Sequence, residues 1–202
     1  MSALDFLSVD GADSGVAAVS AIVRAQRDLG ATFEERDGWL VPISLPGERE
    51  HLAATGVADL SHLTKLEVRP GGGAPDFATH CCRVWYAISP RRALALAEAR
   101  DAAALREQLA GRKLVLDVTG AWSLIALVGP EAPTVLRRMT HIHHFPSGGE
   151  IAHVQGHVLE QGDDDKAGYW ILVPQEYGEY VWEVAVDRAS ALGGGPVGVD
   201  SL

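Results

Sequence analysis

Histidines gather in His141-Ile142-His143-His144, with His153 and His157 following. Imidazoles at alternate positions of an extended strand point to one face, and zinc takes such nitrogens at about 2.0–2.1 Å. Yet no glutamate stands at helical spacing from His141, His143 or His144 and no cysteine is near. The stretch therefore reads as a polar loop leading into Phe145-Pro146-Ser147-Gly148-Gly149, and no metal site is assigned. A metal-dependent enzyme built on the cluster is kept as an alternative.

Cys81-Cys82, next to His80, is the other reactive pattern. A thiolate needs an activating base, but neighbouring side chains on a strand point to opposite faces. Small residues entering a strand is the plainer reading. Gly71-Gly72-Gly73 precedes no helix and so lacks the setting of a phosphate loop, and Asp163-Asp164-Asp165 lacks the spaced oxygens of a calcium loop. Neither a nucleophile elbow, nor a Walker loop, nor a dinucleotide fingerprint occurs.

The elements that must position such residues belong to a chain of 202 residues with net charge −10. Hydrophobic residues make up 47% and charged residues 22%, an ordinary globular balance that excludes disorder as a description of the whole. The acidic excess, with no Lys/Arg stripe, argues against nucleic acid. No apolar run approaches the roughly 20 residues of a spanning helix. The N-terminus lacks the positive start of a signal peptide, and Cys81 and Cys82 are adjacent, outside disulfide geometry. The cytoplasm is the expected location, with no membrane contact.

Hydrophobic spacing predicts a helix over Asp13–Gly30, a strand at 38–43, and a short helix over Glu48–Thr55. Val57–Ser61 and Lys65–Val68 alternate as half-buried strands. Arg83–Ile88 and Ala93–Ala97 flank Ser89-Pro90-Arg91-Arg92 as a hairpin. A helix follows over Asp101–Leu109. Beyond it lie strands at 114–118 and 122–127, a helix over Pro130–Arg138, and strands at 152–159 and 169–173. The last elements are a helix over Glu176–Leu192, with Tyr180, Val184 and Val186 inward, and a strand at 197–199. Without strict βαβ alternation the class is α+β. The chain divides into an α+β part over 1–112 and a second over 113–202, intertwined as one core.

The order of short signatures carries a resemblance. Gly30-Ala31, Phe33, Trp39, Pro42 and Glu50, then Gly56-Val57-x-Asp59-Leu60-Ser61-His62-Leu63-x-Lys65-x-Glu67-Val68, resemble the N-terminal third of the glycine-cleavage T-protein (aminomethyltransferase) family. Leu124–Leu136 is similar to that family's strand, Gly-Pro and helix. Gly168–Val173 is similar to its Gly-aromatic-Glu-Ile strand. Val115 through the Val181-Trp182 helix equally resembles the gamma subunit of heterotetrameric sarcosine oxidase, of the same superfamily.

The resemblance implies a T-protein-like folate-binding core of mixed and antiparallel sheets with flanking helices. The third domain, which in the family follows the segment matched by Pro196–Leu202, is expected to be lacking. An exposed apolar face would then seek a homo-oligomer or partner subunits. The family's catalytic aspartate falls on Cys81 or Cys82, neither a carboxylate, so no catalytic residue is assigned. Its pterin-binding glutamate falls on Lys166, a donor where an acceptor is needed.

The implied function is a small accessory or non-catalytic member working in tetrahydrofolate-linked one-carbon or N-methyl amine metabolism. The alternative within the superfamily is an active folate-dependent transferase with a rebuilt site. Tetrahydrofolate would contact Asp59, Ser61, His62, Leu63, Trp85, Tyr86 and Trp170. Asp59 and Ser61 equally suit the task of satisfying backbone groups at a strand end. The three aromatics equally suit packing across a sheet.

Overall fold

The structure is a computed structural model and describes residues 17–69, 82–109, 114–162 and 168–202. In chain order its first elements are β1 (Ala18–Val19), α1 (Val23–Asp28), β2 (Thr32–Arg36), β3 (Trp39–Ser44), α2 (Glu48–Leu52), β4 (Gly56–Asp59) and β5 (Thr64–Arg69). Then come β6 (Val84–Ser89), β7 (Arg92–Ala97), α3 (Ala102–Leu109), β8 (Leu114–Asp117), β9 (Trp122–Val128) and α4 (Ala132–Arg137). The chain continues with β10 (Ser147–Ile151), β11 (Val154–Glu160), β12 (Gly168–Pro174), α5 (Gly178–Ser190) and β13 (Gly195–Pro196). The α+β class and the T-protein-like architecture of flanked, mostly antiparallel sheets hold.

Alternation along each strand sorts the side chains into layers. A six-stranded sheet runs β10-β11-β12-β9-β4-β13, and a four-stranded sheet runs β6-β7-β5-β8. Val57, Ile125, Leu127, Tyr169 and Ile171 leave the larger sheet on one face and meet Val135, Leu136, Val181, Trp182 and Ala185 of α4 and α5. On the opposite face Ala58, Leu124, Ala126, Trp170 and Leu172 meet Tyr86, Leu94 and Leu96 of the smaller sheet. The outer face of the smaller sheet, through Leu66, Val68 and Ala95, packs on Leu105 and Leu109 of α3. Both sheets are thus covered on both faces. Strands from either side of residue 112 share each sheet: β4 and β13 pair in parallel, and β5 lies between β7 and β8. A smaller three-stranded sheet, β1-β3-β2, flanks the core.

Several expectations are corrected. The first helix covers only Val23–Asp28; Ala18 and Val19 pair instead with Trp39 and Leu40, and the Ser20 hydroxyl accepts the Ile22 N–H at 3.1 Å. Residues 13–16 of that expectation lie outside the described residues. On α5, Tyr180 is exposed, and Val181, Trp182, Ala185 and Ala189 form the buried stripe. Gly178 sets that face by lying against Ser123, where a Cβ would come within 2.1 Å of the hydroxyl. The last strand is Gly195–Pro196, and Val199–Ser201 forms a 3-10 turn.

The half-buried reading of β4 and β5 is also corrected. Lys65 and Glu67 are buried with their apolar neighbours, because the face they occupy meets another sheet instead of water.

Candidate functional site

The turn after β4 is built around a buried charge. Asp59 accepts the Ser61 N–H on Oδ1 at 2.9 Å and the Gln26 amide on Oδ2 at 3.4 Å. Ser61 Oγ accepts the Leu124 N–H at 3.0 Å. Lys65, the next strand's second residue, folds its ammonium back beneath the turn and donates to the carbonyls of Ser61 at 2.8 Å and Leu63 at 2.9 Å. Its own N–H donates to Thr119 Oγ1 at 3.0 Å. Burial brings the Lys65 amine down to about 7, outweighing the attraction of Asp59 and Asp117. Glu67 is tied to Arg69 and Arg92 at 2.6 Å each. Burial pushes its carboxyl up, and the two guanidinium groups more than offset that, leaving it below the ordinary range.

So held, the turn presents Leu60, His62 and Leu63 to a cleft of about 420 Å³, within the size range of small-molecule sites. Trp170 and Gly168 from β12, Gln161 and Val128 line it further, and Arg36, Arg83, Glu98, Val199, Asp200 and Leu202 complete its wall. Two arginines dominate its electrostatics. Arg36 donates through Nη1 and Nη2 to Asp200 Oδ1 and Oδ2 at 2.5 and 2.8 Å, and through Nε to Glu34 at 2.7 Å. That fork holds the Asp200 carboxyl below its usual range. Arg83 lies over the Trp170 indole, 5.0 Å from the ring centroid, and donates through Nη1 to Glu98 Oε1 at 2.9 Å. His62 titrates below an ordinary histidine because of burial, against the opposing pull of Asp59 and Glu98.

Of the seven residues expected at a folate site, His62, Leu63 and Trp170 line the cleft. Asp59 and Ser61 are buried beneath it, satisfying backbone groups. Tyr86 points between the sheets, its hydroxyl 2.9 Å from His157 Nδ1, and Trp85 packs on the opposite face of its sheet with the α3 cluster. His157 is therefore separated from the histidine stretch and lies against Tyr86 and Trp122, with ring centroids at 5.2 and 5.6 Å. His141, His143 and His144 are exposed, and among the described residues no group of three or more His, Cys, Asp or Glu is gathered for a metal. Of the positions matched to the family's catalytic aspartate and pterin-binding glutamate, Cys82 packs against the α3 cluster, and Cys81 and Lys166 lie outside the described residues.

No family model matches the chain. It is 26% identical over 221 residues to an aminomethyltransferase of Streptomyces avermitilis, a match covering 89% of this chain and 59% of that one. Its fold superposes on glycine cleavage system aminomethyltransferase T from Bartonella henselae with a TM-score of 0.71 at 19% identity, over 91% of this chain and 60% of the other. In sequence the chain is thus similar to aminomethyltransferases, and it shares their fold. A chain of the heterotetrameric sarcosine oxidase from Corynebacterium sp. U-96 shares the fold at a TM-score of 0.59 and 18% identity, the match covering 86% of this chain and 95% of that one. The chain spans about 59% of the length of the aminomethyltransferase it matches.

Sequence reasoning missed Arg36, Arg83, Glu98, Gln161 and Asp200 in this cleft. They come from five separated segments, at strand ends and turns, and no spacing rule joins them. One signal was present: Glu48 sits at the first turn of a predicted helix, and it accepts from Leu45 N, Gly198 N and Ser201 Oγ at 2.7, 2.5 and 2.6 Å. That network fixes the turn carrying Asp200.

Proposed function

We propose that this protein binds tetrahydrofolate in the cleft above the Asp59–Lys65 turn, in the cytoplasm, without carrying out aminomethyl transfer. It would act as an accessory or non-catalytic component of one-carbon or N-methyl amine metabolism, as one subunit of a larger assembly. The observation that carries the reading is the state of the cleft's acids. Among the described residues Glu98 and Asp200 are the acidic side chains that line it, and each is paired with an arginine.

The lining suits a folate in kind. Leu60, Leu63, Val128 and Trp170 offer an apolar wall for a flat ring, and Arg36, Arg83 and Gln161 offer N–H donors to carbonyl and carboxylate oxygens. Tetrahydrofolate, when bound, supplies ring nitrogens that carry a one-carbon unit. This chain's residues bind it, orient its ring against Trp170 and keep water from that face. His62, held neutral by burial, can donate one hydrogen bond and accept another. The match to a chain of a heterotetrameric oxidase supports the subunit reading.

Equilibrium dialysis of the purified protein against 5-formyltetrahydrofolate, with a parallel assay for tetrahydrofolate-dependent aminomethyl transfer, tests the reading. Saturable binding without turnover is expected. Robust turnover would replace it with an active transferase, and absence of binding would remove folate from the account. Co-purification from the native host checks the subunit role: a partner burying more than about 1,000 Å² is expected, and a lone monomer would contradict it.

A further inference from the structure

The two acids of the cleft are not equivalent. Asp200 places one oxygen on each terminal nitrogen of Arg36, so its two oxygens meet one guanidinium fork. Glu98 gives only Oε1 to Arg83, through Nη1, and among the described residues Oε2 accepts no hydrogen bond. Arg83 in turn lies over the Trp170 indole, its Cζ 5.0 Å from the ring centroid, and among the described residues its guanidinium donates to Glu98. An acceptor oxygen and a flat donor therefore stand side by side on the wall of a 420 Å³ cleft. Both are ionised groups, and hydrogen bonds to such groups are the strong ones.

We propose that Glu98 and Arg83 together read the lactam edge of a planar heterocycle, Glu98 Oε2 accepting from a ring N–H and Arg83 donating to the adjacent ring carbonyl. Glu98 is thus the specificity-determining residue of the cleft. The proposal rests on the folate reading only in placing the ligand in the same cleft; it would hold for any flat lactam. A ligand lacking the N–H beside the carbonyl leaves Oε2 unpaired. A tail bearing only a carboxylate makes no use of Glu98.

The test compares wild type, Glu98→Gln and Arg83→Gln by calorimetric titration with three probes: 5-formyltetrahydrofolate, 6,7-dimethylpterin, and N-(4-aminobenzoyl)glutamate. Glu98→Gln keeps the shape and replaces the acceptor pair by an amide that can present a donor. It is expected to weaken the pterin probe by about tenfold or more and to leave the aminobenzoylglutamate probe unchanged. Arg83→Gln should weaken the pterin as well. Thermal unfolding of each variant within a degree or two of wild type shows that the fold is intact.

Folate and pterin binding that Glu98→Gln leaves unaltered would overturn the proposal while leaving the folate reading standing. Pterin binding that depends on Glu98, with no binding of the full folate, would remove the folate reading and leave the proposal standing. A wild-type protein that binds neither lactam probe overturns both.

Discussion

Lys65 and Arg83 are both cations beside the same cleft, and the structure uses them in opposite ways. The ammonium of Lys65 is fully buried and spends its protons on two carbonyls of the turn below the cleft. Arg83 keeps about half its side-chain surface in solvent (53%), over the Trp170 ring with one nitrogen on Glu98. Removing a buried charge from its partners leaves unsatisfied groups that water cannot reach, whereas an exposed pair gains little for stability because solvent replaces each partner. The lower region builds the wall and the upper region recognises what meets it. Disturbing the first should cost folding, and disturbing the second should cost ligand.

The largest effect is expected from Lys65→Ala. It orphans the Ser61 and Leu63 carbonyls and removes a cation that attracts Asp59, at a cost of about 3 kcal/mol or more, measured by urea unfolding. A loss below about 1 kcal/mol would mean that the turn does not depend on the ammonium.

Next comes a pH dependence with a definite sign. The folded protein releases the Lys65 proton near pH 7, whereas the unfolded chain holds it until about 10.5. Between those values the unfolded state binds more protons, so stability should rise as pH increases from about 7 toward 10.5. Lys65→Met should flatten that rise relative to wild type. Parallel curves for the two proteins would place the titration elsewhere.

Glu67→Ala removes a buried carboxylate, but its partners Arg69 and Arg92 reach solvent. A smaller loss of about 1–2 kcal/mol is expected by the same urea measurement. At the rim, Glu98→Gln should shift the unfolding midpoint hardly at all, within about 0.5 kcal/mol. Asp200→Asn should leave thermal unfolding unchanged. A rim variant that unfolds the protein would erase the distinction between the two regions.

The sequence made much of this legible where packing follows alternation. The apolar runs of β9 and β12 and the Ser89–Arg92 hairpin appear where alternation and turn residues put them. The likeness to aminomethyltransferases was readable from collinear motifs such as Gly56–Val68 and Gly168–Val173. What alternation could not tell is what faces the polar side of a strand. Lys65 and Glu67 read as solvent-facing, yet they sit beside Leu94 and Leu96 on the face that meets a second sheet, and only the stacking of the two sheets shows it. The cleft was legible at His62, Leu63 and Trp170 and hidden at Arg36, Arg83, Glu98 and Asp200. Those four are charged residues of common type, Arg83 and Asp200 exposed and Arg36 and Glu98 half-buried, made significant only by the chain bringing their segments together.

The five tryptophans give the most direct test of ligand binding in this cleft. Each contributes one indole N–H resonance, and Trp170 alone among them lines the cleft. Titrating 5-formyltetrahydrofolate into ¹⁵N-labelled protein should move the indole signal that is missing from Trp170→Phe and leave those of Trp39 and Trp182 in place. Movement of another indole with Trp170 unmoved, or no movement at saturating ligand, would contradict the account.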